Sequence, residues 1–170
     1  MVVHEYDIMY TLPAPSVYFR PVEIDQVDAI SQLESASYPS DEAATPEKLS
    51  YRAEHAKDFF LVAIDGSSDH DPQRPQHSVI GFVCSTLTAS LSLTHESMST
   101  HDPDGKVLCI HSVVIEASRR RQNIGSRLMT AYINFVKATS PHVEEIRLLC
   151  KQHLVRCNAT LKYTPFVSDH

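Results

Sequence analysis

Two neighbouring stretches of this chain carry residues that could do chemistry. Cys109-Ile-His-Ser-Val-Val-Ile115 is a β-branched run with an imidazole, His111, in its middle, and Arg119-Arg-Arg-Gln-Asn-Ile-Gly-Ser-Arg-Leu-Met129 is a basic turn running into a helix. A strand, turn and helix in that order leave several backbone N–H groups at a helix N-terminus, where the helix dipole favours negative charge. Asn123 and Gly125 are residue types that tolerate a left-handed or tight backbone, and Arg119, Arg120 and Arg121 bring positive charge to the mouth of the turn. The chemistry implied is a pyrophosphate cradle built from the N–H groups of Arg121, Gln122, Asn123, Ile124, Gly125 and Ser126. His111 is the side chain whose unperturbed pKa lies nearest neutrality. An alternating strand would put it on one face with Cys109 and Val113. A core histidine satisfied by a backbone carbonyl is the alternative reading.

Other phosphate-binding signatures do not fit. A P-loop requires G-x-x-x-x-G-K-S/T and a dinucleotide fingerprint G-x-G-x-x-G, whereas the whole chain holds four glycines. The turn resembles the acyl-CoA motif of the GNAT acetyltransferases, Arg/Gln-x-x-Gly-x-Gly/Ala, which here reads Arg120-Arg-Gln-Asn123-Ile-Gly125 with Asn in place of the first Gly. A narrower resemblance, to the arylalkylamine (serotonin) N-acetyltransferase group, lies in Leu93-Thr-His-Glu-Ser-Met98, Asp102-Pro-Asp-Gly105 and Ile110-His-Ser-Val-Val-Ile115. Tyr38-Pro39-Ser-Asp-Glu-Ala-Ala and Lys48-Leu-Ser-Tyr-Arg52 are similar to the fungal polyamine acetyltransferases of that group. The resemblance spans roughly residues 17 to 156.

It implies a GNAT fold, acetyl-CoA as co-substrate, and transfer of acetyl to a primary amine, arylalkylamine or polyamine, by direct attack. Backbone N–H groups at Val113, Val114 and Ile115 would receive the thioester carbonyl, His111 would be the general base, and Leu149 would line the acceptor pocket. The chain departs from the family in two places. Cys109 stands where a second His often precedes the first, and Asn158 stands where the family has a Tyr near the CoA sulfur. Asn donates a hydrogen bond but cannot give up a proton. Only 20 residues follow Cys150, so the family's final β-hairpin is expected to be missing, leaving the strand at Ile146 to Cys150 as an unpaired edge. A truncated or alternatively spliced product would read this way. Two rival readings follow: a catalytically impaired acetyl-CoA-binding module, and a protein or peptide N-acetyltransferase.

The elements needed to position these groups are legible in turn. Residues 1–16 read as an N-terminal arm, 17–156 as the acetyltransferase domain, and 157–170 as a divergent tail. Val17 to Pro21 is a strand, and a helix opens near Ile24 with Asp25 as its cap and Val27, Ile30 and Leu33 as its stripe. Thr45-Pro46-Glu47 starts a second helix, with an N-cap Thr and Pro at the first helical position. Phe59–Ile64 and Val79–Thr86 read as paired strands around an exposed loop, and Val107 to Ile115 as the central strand. A helix over 125–137 carries Leu128, Met129, Tyr132, Ile133 and Val136 on one face, and Glu145 to Cys150 is a final strand. The order β-α-α-β-β-β-α-β specifies an α/β (α+β) domain with helices on a mixed sheet.

Composition narrows the partners. At 170 residues and 42% apolar content the chain is one globular domain, and a net charge of −6 argues against a nucleic-acid binder. Neither a signal peptide nor a spanning segment is present, so no membrane partner is expected, and a cytoplasmic location follows as the default. Cys84, Cys109, Cys150 and Cys157 show no zinc-ligand spacing, and no metal site is expected. The expected partner is a small-molecule amine, and the expected state a monomer, with strand-edge pairing as the alternative.

Overall fold

A computed structural model describes residues 17–66, 78–89 and 100–148. Five strands, β1 (Val17–Pro21), β2 (Phe60–Asp65), β3 (Ser78–Thr88), β4 (Val107–Ile115) and β5 (Glu145–Leu148), lie side by side in sequence order. The first three pairings are antiparallel and β4 with β5 is parallel. The parallel pair needs a crossover, which α3 (Ile124–Thr139) supplies. Helices α1 (Val27–Ser37) and α2 (Pro46–His55) cover the other face. The mixed sheet with flanking helices is the one expected from the element order.

Two cores follow from sheet alternation. Leu61, Val83, Leu87, Leu108 and Ile110 meet Leu128, Tyr132 and Val136 of α3 on one face. On the other, Val62, Phe82 and Val114 meet Val27 and Ile30 of α1 and Leu49 and Ala53 of α2. Tyr132 is fully buried because its hydroxyl is used twice, toward Ser85 Oγ at 2.7 Å and Phe59 O at 3.2 Å. Within the expected stripe of α3, Leu128, Tyr132 and Val136 are buried, with Met129 and Ile133 packed at the margin.

Most boundaries are close to the sequence reading and the differences have local causes. Thr45 caps α2 as expected, its Oγ1 accepting from Lys48 N at 3.4 Å. Asp25 does not cap the first helix. A 3-10 turn at Ile24–Gln26 precedes α1, and Gln26 Oε1 reaches back to Glu23 N at 3.0 Å. Phe59 falls in a 3-10 turn rather than in β2. The arm, the loops over 67–77 and 90–99, Leu149, Cys150, Cys157, Asn158, the expected missing hairpin and the divergent tail lie outside the described residues.

Gly81 is the glycine on which the site side of the sheet closes. A Cβ there would lie 2.6 Å from both Ile115 Cδ1 and Val114 O. Gly125 has ordinary room, its Cβ meeting Ile115 Cγ1 at 3.6 Å, and it is helical rather than left-handed. Gly81→Ala is therefore expected to cost about 1–3 kcal/mol in urea unfolding. Gly125→Ala is expected to leave stability unchanged or to raise it by up to about 1 kcal/mol. Equal losses at the two positions would contradict this packing.

Candidate functional site

Strand β4 contains one residue too many for its partner. Ser112 pairs with Cys84 and Ile110 with the next residue, Ser85, so His111 is the extra residue of a β-bulge. The bulge reverses the facing of everything beyond it. Leu108 and Ile110 pack toward α3, whereas Ser112 and Val114 turn toward α1 and α2. The expectation that His111 shares a face with both Cys109 and Val113 is thus half corrected. Cys109 pairs with Thr86, and His111 Nε2 lies 2.8 Å from Thr86 Oγ1, but Val113 packs on the α3 side. A regular alternation cannot survive an inserted residue.

The imidazole is satisfied by a side-chain hydroxyl, not by a backbone carbonyl. Burial, and then the cations Arg52 and Lys48 of α2, push its pKa down to about 3. His111 is therefore neutral throughout the physiological range. Burial also raises the Cys84 thiol and takes Cys109 up to about 11, so neither is a thiolate nucleophile.

Antiparallel alternation sorts the backbone donors of β4. Val113 N–H and C=O both meet the Tyr38 hydroxyl, each at 3.4 Å, so they point away from β3. Ile115 points the same way, its carbonyl accepting from Arg120 Nε at 2.9 Å. Val114 lies between them, opposite Phe82, with its peptide groups turned into the sheet. Of the three expected carbonyl donors, Val113 and Ile115 face outward and Val114 does not. The described β4–β5 ladder ends at Ile110 opposite Leu148; Leu149, the expected pocket residue, lies outside the described residues.

Beyond β4 the chain turns through Ala117–Arg119 and enters α3 at Asn123. Arg121 and Asn123 are both left-handed, with φ of 64° and 61°, so Asn takes the backbone state for which the family motif has Gly. The first α3 bond runs from Arg127 N to Asn123 O at 3.2 Å. Gln122 N–H closes the turn over Arg120 and Arg121, and among the described residues no acceptor meets the N–H groups of Arg121, Asn123, Ile124, Gly125 or Ser126. Such donors at a helix N-terminus, without an acceptor among the described residues, fit an anion.

The three arginines do different jobs. Arg119 is paired with the buried carboxylate of Asp65, so its charge is compensated. Arg120 bonds Ile115 O and, at 3.2 Å, Ser37 Oγ, tying the turn to the end of α1. Arg121 alone keeps an exposed side chain beside the cradle without a described contact. Next to it, a groove of about 370 Å³ runs along α3, lined by Asn123, Ser126, Arg127, Thr130, Ala131 and Asn134. Sequence reasoning missed the last four. Their signal is the 3, 4, 7 spacing of small and polar residues opposite the apolar stripe.

Glu34, which from the sequence reads with Asp41 and Glu42 as a solvated acid that could attract an amine, is instead buried. This carboxylate of α1 is 1% exposed; its Oε1 accepts from Ser112 Oγ at 2.8 Å and from Ala44 N at 2.9 Å. Among the described residues its Oε2 has no partner. The bulge that turns Ser112 inward supplies one of its donors. No group of three or more His, Cys, Asp or Glu is placed to hold a metal among the described residues, and none of the described helices is long and apolar enough to cross a membrane.

With this geometry in place, comparison with known proteins decides the family. The model described as the Acetyltransferase (GNAT) family matches residues 27–158. The chain belongs to the GNAT acetyltransferase family. Serotonin N-acetyltransferase of Mesocricetus auratus is 29% identical over 77 residues, which are 45% of this chain and 37% of that protein. The chain thus matches little more than a third of that curated relative's length. The loading GNATL domain of CurA from Lyngbya majuscula superposes with a TM-score of 0.65 at 14% identity, over 79% of this chain and 65% of that one. Arabidopsis thaliana NAA60, solved with a bisubstrate analogue, gives 0.59 at 18% identity, over 81% and 77%. These two likenesses are of fold.

Two outcomes check the site. The unfolded imidazole protonates near its ordinary 6.5 and folded His111 only near 3, so the unfolded state binds more protons between those values and stability falls as pH drops through that window. His101, lowered by burial, acts in the same direction. Replacing His111 by Gln should shrink the loss of urea midpoint between pH 7 and 4.5; an unchanged loss would remove His111 from the acid limb. At Asn123, Gly should be tolerated within a few tenths of a kcal/mol, while Val, β-branched at positive φ, should cost about 1–2 kcal/mol.

Proposed function

We propose that this chain is an acetyl-CoA-dependent N-acetyltransferase that moves acetyl to a primary amine, an arylalkylamine or a polyamine, as a small-molecule acceptor. The observation that carries the reading is a convergence. The cradle N–H groups that meet no acceptor among the described residues, the outward N–H groups of Val113 and Ile115, and the bulged His111 follow one another within sixteen residues, 111–126. In that order they would hold a pyrophosphate, receive a thioester carbonyl and accept a proton. The match to serotonin N-acetyltransferase supports an amine acceptor.

The chemistry needs the acceptor amine neutral before it attacks. In the tautomer that donates Nε2–H to Thr86 Oγ1, the Nδ1 lone pair of His111 is the acceptor. An imidazole held at about 3 is a weak base. The same burial and the same cations, however, lower the pKa of an ammonium bound beside it, and transfer depends on the difference. The amine lone pair then forms the C–N bond as the carbonyl pair moves onto oxygen, and the new N–H2+ centre gives its second proton to water. Collapse breaks the C–S bond and expels the CoA thiolate, which takes up a proton from solvent. The high Cys84 and Cys109 values argue for direct attack over a covalent thioester intermediate.

The decisive experiment is thiol release from acetyl-CoA by the folded full-length chain, with arylalkylamines, polyamines and an N-terminal peptide as acceptors. Small amines should turn over faster than the peptide. His111→Ala should lower kcat by about 10²-fold with CoA affinity within twofold. CoA binding without turnover for any acceptor would leave an acetyl-CoA-binding module, and a faster peptide would make the chain a peptide N-acetyltransferase.

A further inference from the structure

The hydroxyl of Tyr38 sits on the outward edge of β4, where it accepts from Val113 N–H and faces Val113 C=O, each at 3.4 Å. Both contacts are at the long limit of hydrogen bonding and are cheaply exchanged. The residue itself is well held. Its N–H caps α1 on Glu34 O at 3.1 Å, and its ring packs into the core between α1, α2 and the sheet. The preceding residue, Ser37, is bonded to Arg120 and so to the turn that forms the cradle. A phenol on a fixed stem has thus been brought to the backbone donor proposed for the thioester carbonyl.

We propose that Tyr38 O–H and Val113 N–H form a two-donor site for the oxyanion of acyl transfer. The inference rests on the acetyltransferase reading and adds a catalytic residue to it. Two donor atoms 3.4 Å apart can both lie within about 2.9 Å of a single oxygen placed beside them. In the free protein the hydroxyl turns its proton to Val113 C=O. When a carbonyl oxygen takes the N–H, rotation about the phenolic C–O bond aims that proton at the same oxygen. During attack the carbonyl pair moves onto this oxygen, and on collapse it returns as the C–S bond breaks. Tyr38 keeps its proton in both steps. Burial and the negative charges of Glu34 and Glu42 raise the phenol above its ordinary value of 10.0, which keeps it a donor at every working pH.

Tyr38→Phe removes the donor and keeps the ring. In the full chain, kcat with the fastest acceptor is expected to fall about 10²-fold, with the dissociation constant for CoA within twofold and the thermal midpoint nearly unchanged. The direct readout is the infrared band of acetyl-CoA labelled with carbon-13 at the carbonyl. Binding to the wild-type chain should shift it down from its solution position, and Tyr38→Phe should restore part of that shift. With the variant shown to bind acetyl-CoA, an unshifted band in the wild type, or a Tyr38→Phe band identical to the shifted wild-type one, overturns the proposal. So does tighter acetyl-CoA binding at unchanged kcat, which would make the hydroxyl an obstruction. A wild-type chain without turnover would refute the transferase reading instead, and the carbonyl band would still read Tyr38 by itself.

Discussion

One inserted residue in β4 governs the arrangement of everything around it. Without the bulge at His111, alternation would drive the Ser112 hydroxyl into the apolar layer beneath α3 and take it away from Glu34. An unpaired buried hydroxyl costs roughly 1–3 kcal/mol, and a buried carboxylate that loses a donor costs more. The bulge lets one strand serve two cores. Leu108 and Ile110 fill the α3 side before it, Val114 fills the α1 side after it, and His111 is turned to Thr86 at the changeover. The extra residue also raises the local twist of the strand, close to where its described pairing with β5 ends.

The other side of the arrangement is the C-terminal end of α1. Glu34, Ser37 and Tyr38 each reach a different part of the site: Ser112 of β4, Arg120 of the turn, and the Val113 peptide. Glu34 also takes Ala44 N–H, which ties the connection between α1 and α2 to the sheet. Buried polar networks of this kind are costly when any member is missing and specify one geometry when complete. Among the described residues Glu34 keeps one buried oxygen without a partner.

Local signals in the sequence were strong enough to define most of the fold. The Thr45-Pro46 start of α2, the β-branched run of β4 and the apolar stripe of α3 each act over a few residues, and their elements formed where expected. The element order gave the sheet and its flanking helices for the same reason. The cradle was legible as a motif, but its residues divided the work differently. Asn123 is left-handed as its type allows, whereas Gly125 is an ordinary helical residue. What could not be read were facts of register and long-range pairing. Nothing in Cys109-Ile-His-Ser-Val marks an insertion, so the face of Val113 was misjudged. Arg119 looked like part of a positive mouth, yet its partner Asp65 lies 54 residues earlier. Local sequence marks neither the burial of Glu34 nor the contact of Tyr38 with Val113. Their roles arise only when α1 is laid across β4.

The electrostatics of the His111 side give the acetyltransferase reading its direction. Arg52, 8% exposed, and Lys48 both act on His111 strongly enough to add to the effect of burial. A positive field there disfavours a protonated imidazole and an ammonium ion alike, and it favours negative charge. Acyl transfer begins with a neutral amine and passes through an oxyanion to a thiolate, so each later state is better matched to this field than the protonated acceptor is. Groups that stabilise charge only as it develops contribute to rate rather than to ground-state binding. In the proposed transfer these cations would weaken His111 as a base and lower the pKa of an ammonium beside it together. The charges that act on Tyr38, by contrast, are the negative ones of Glu34 and Glu42, so holding the oxyanion would fall to the Val113 N–H and Tyr38 O–H dipoles.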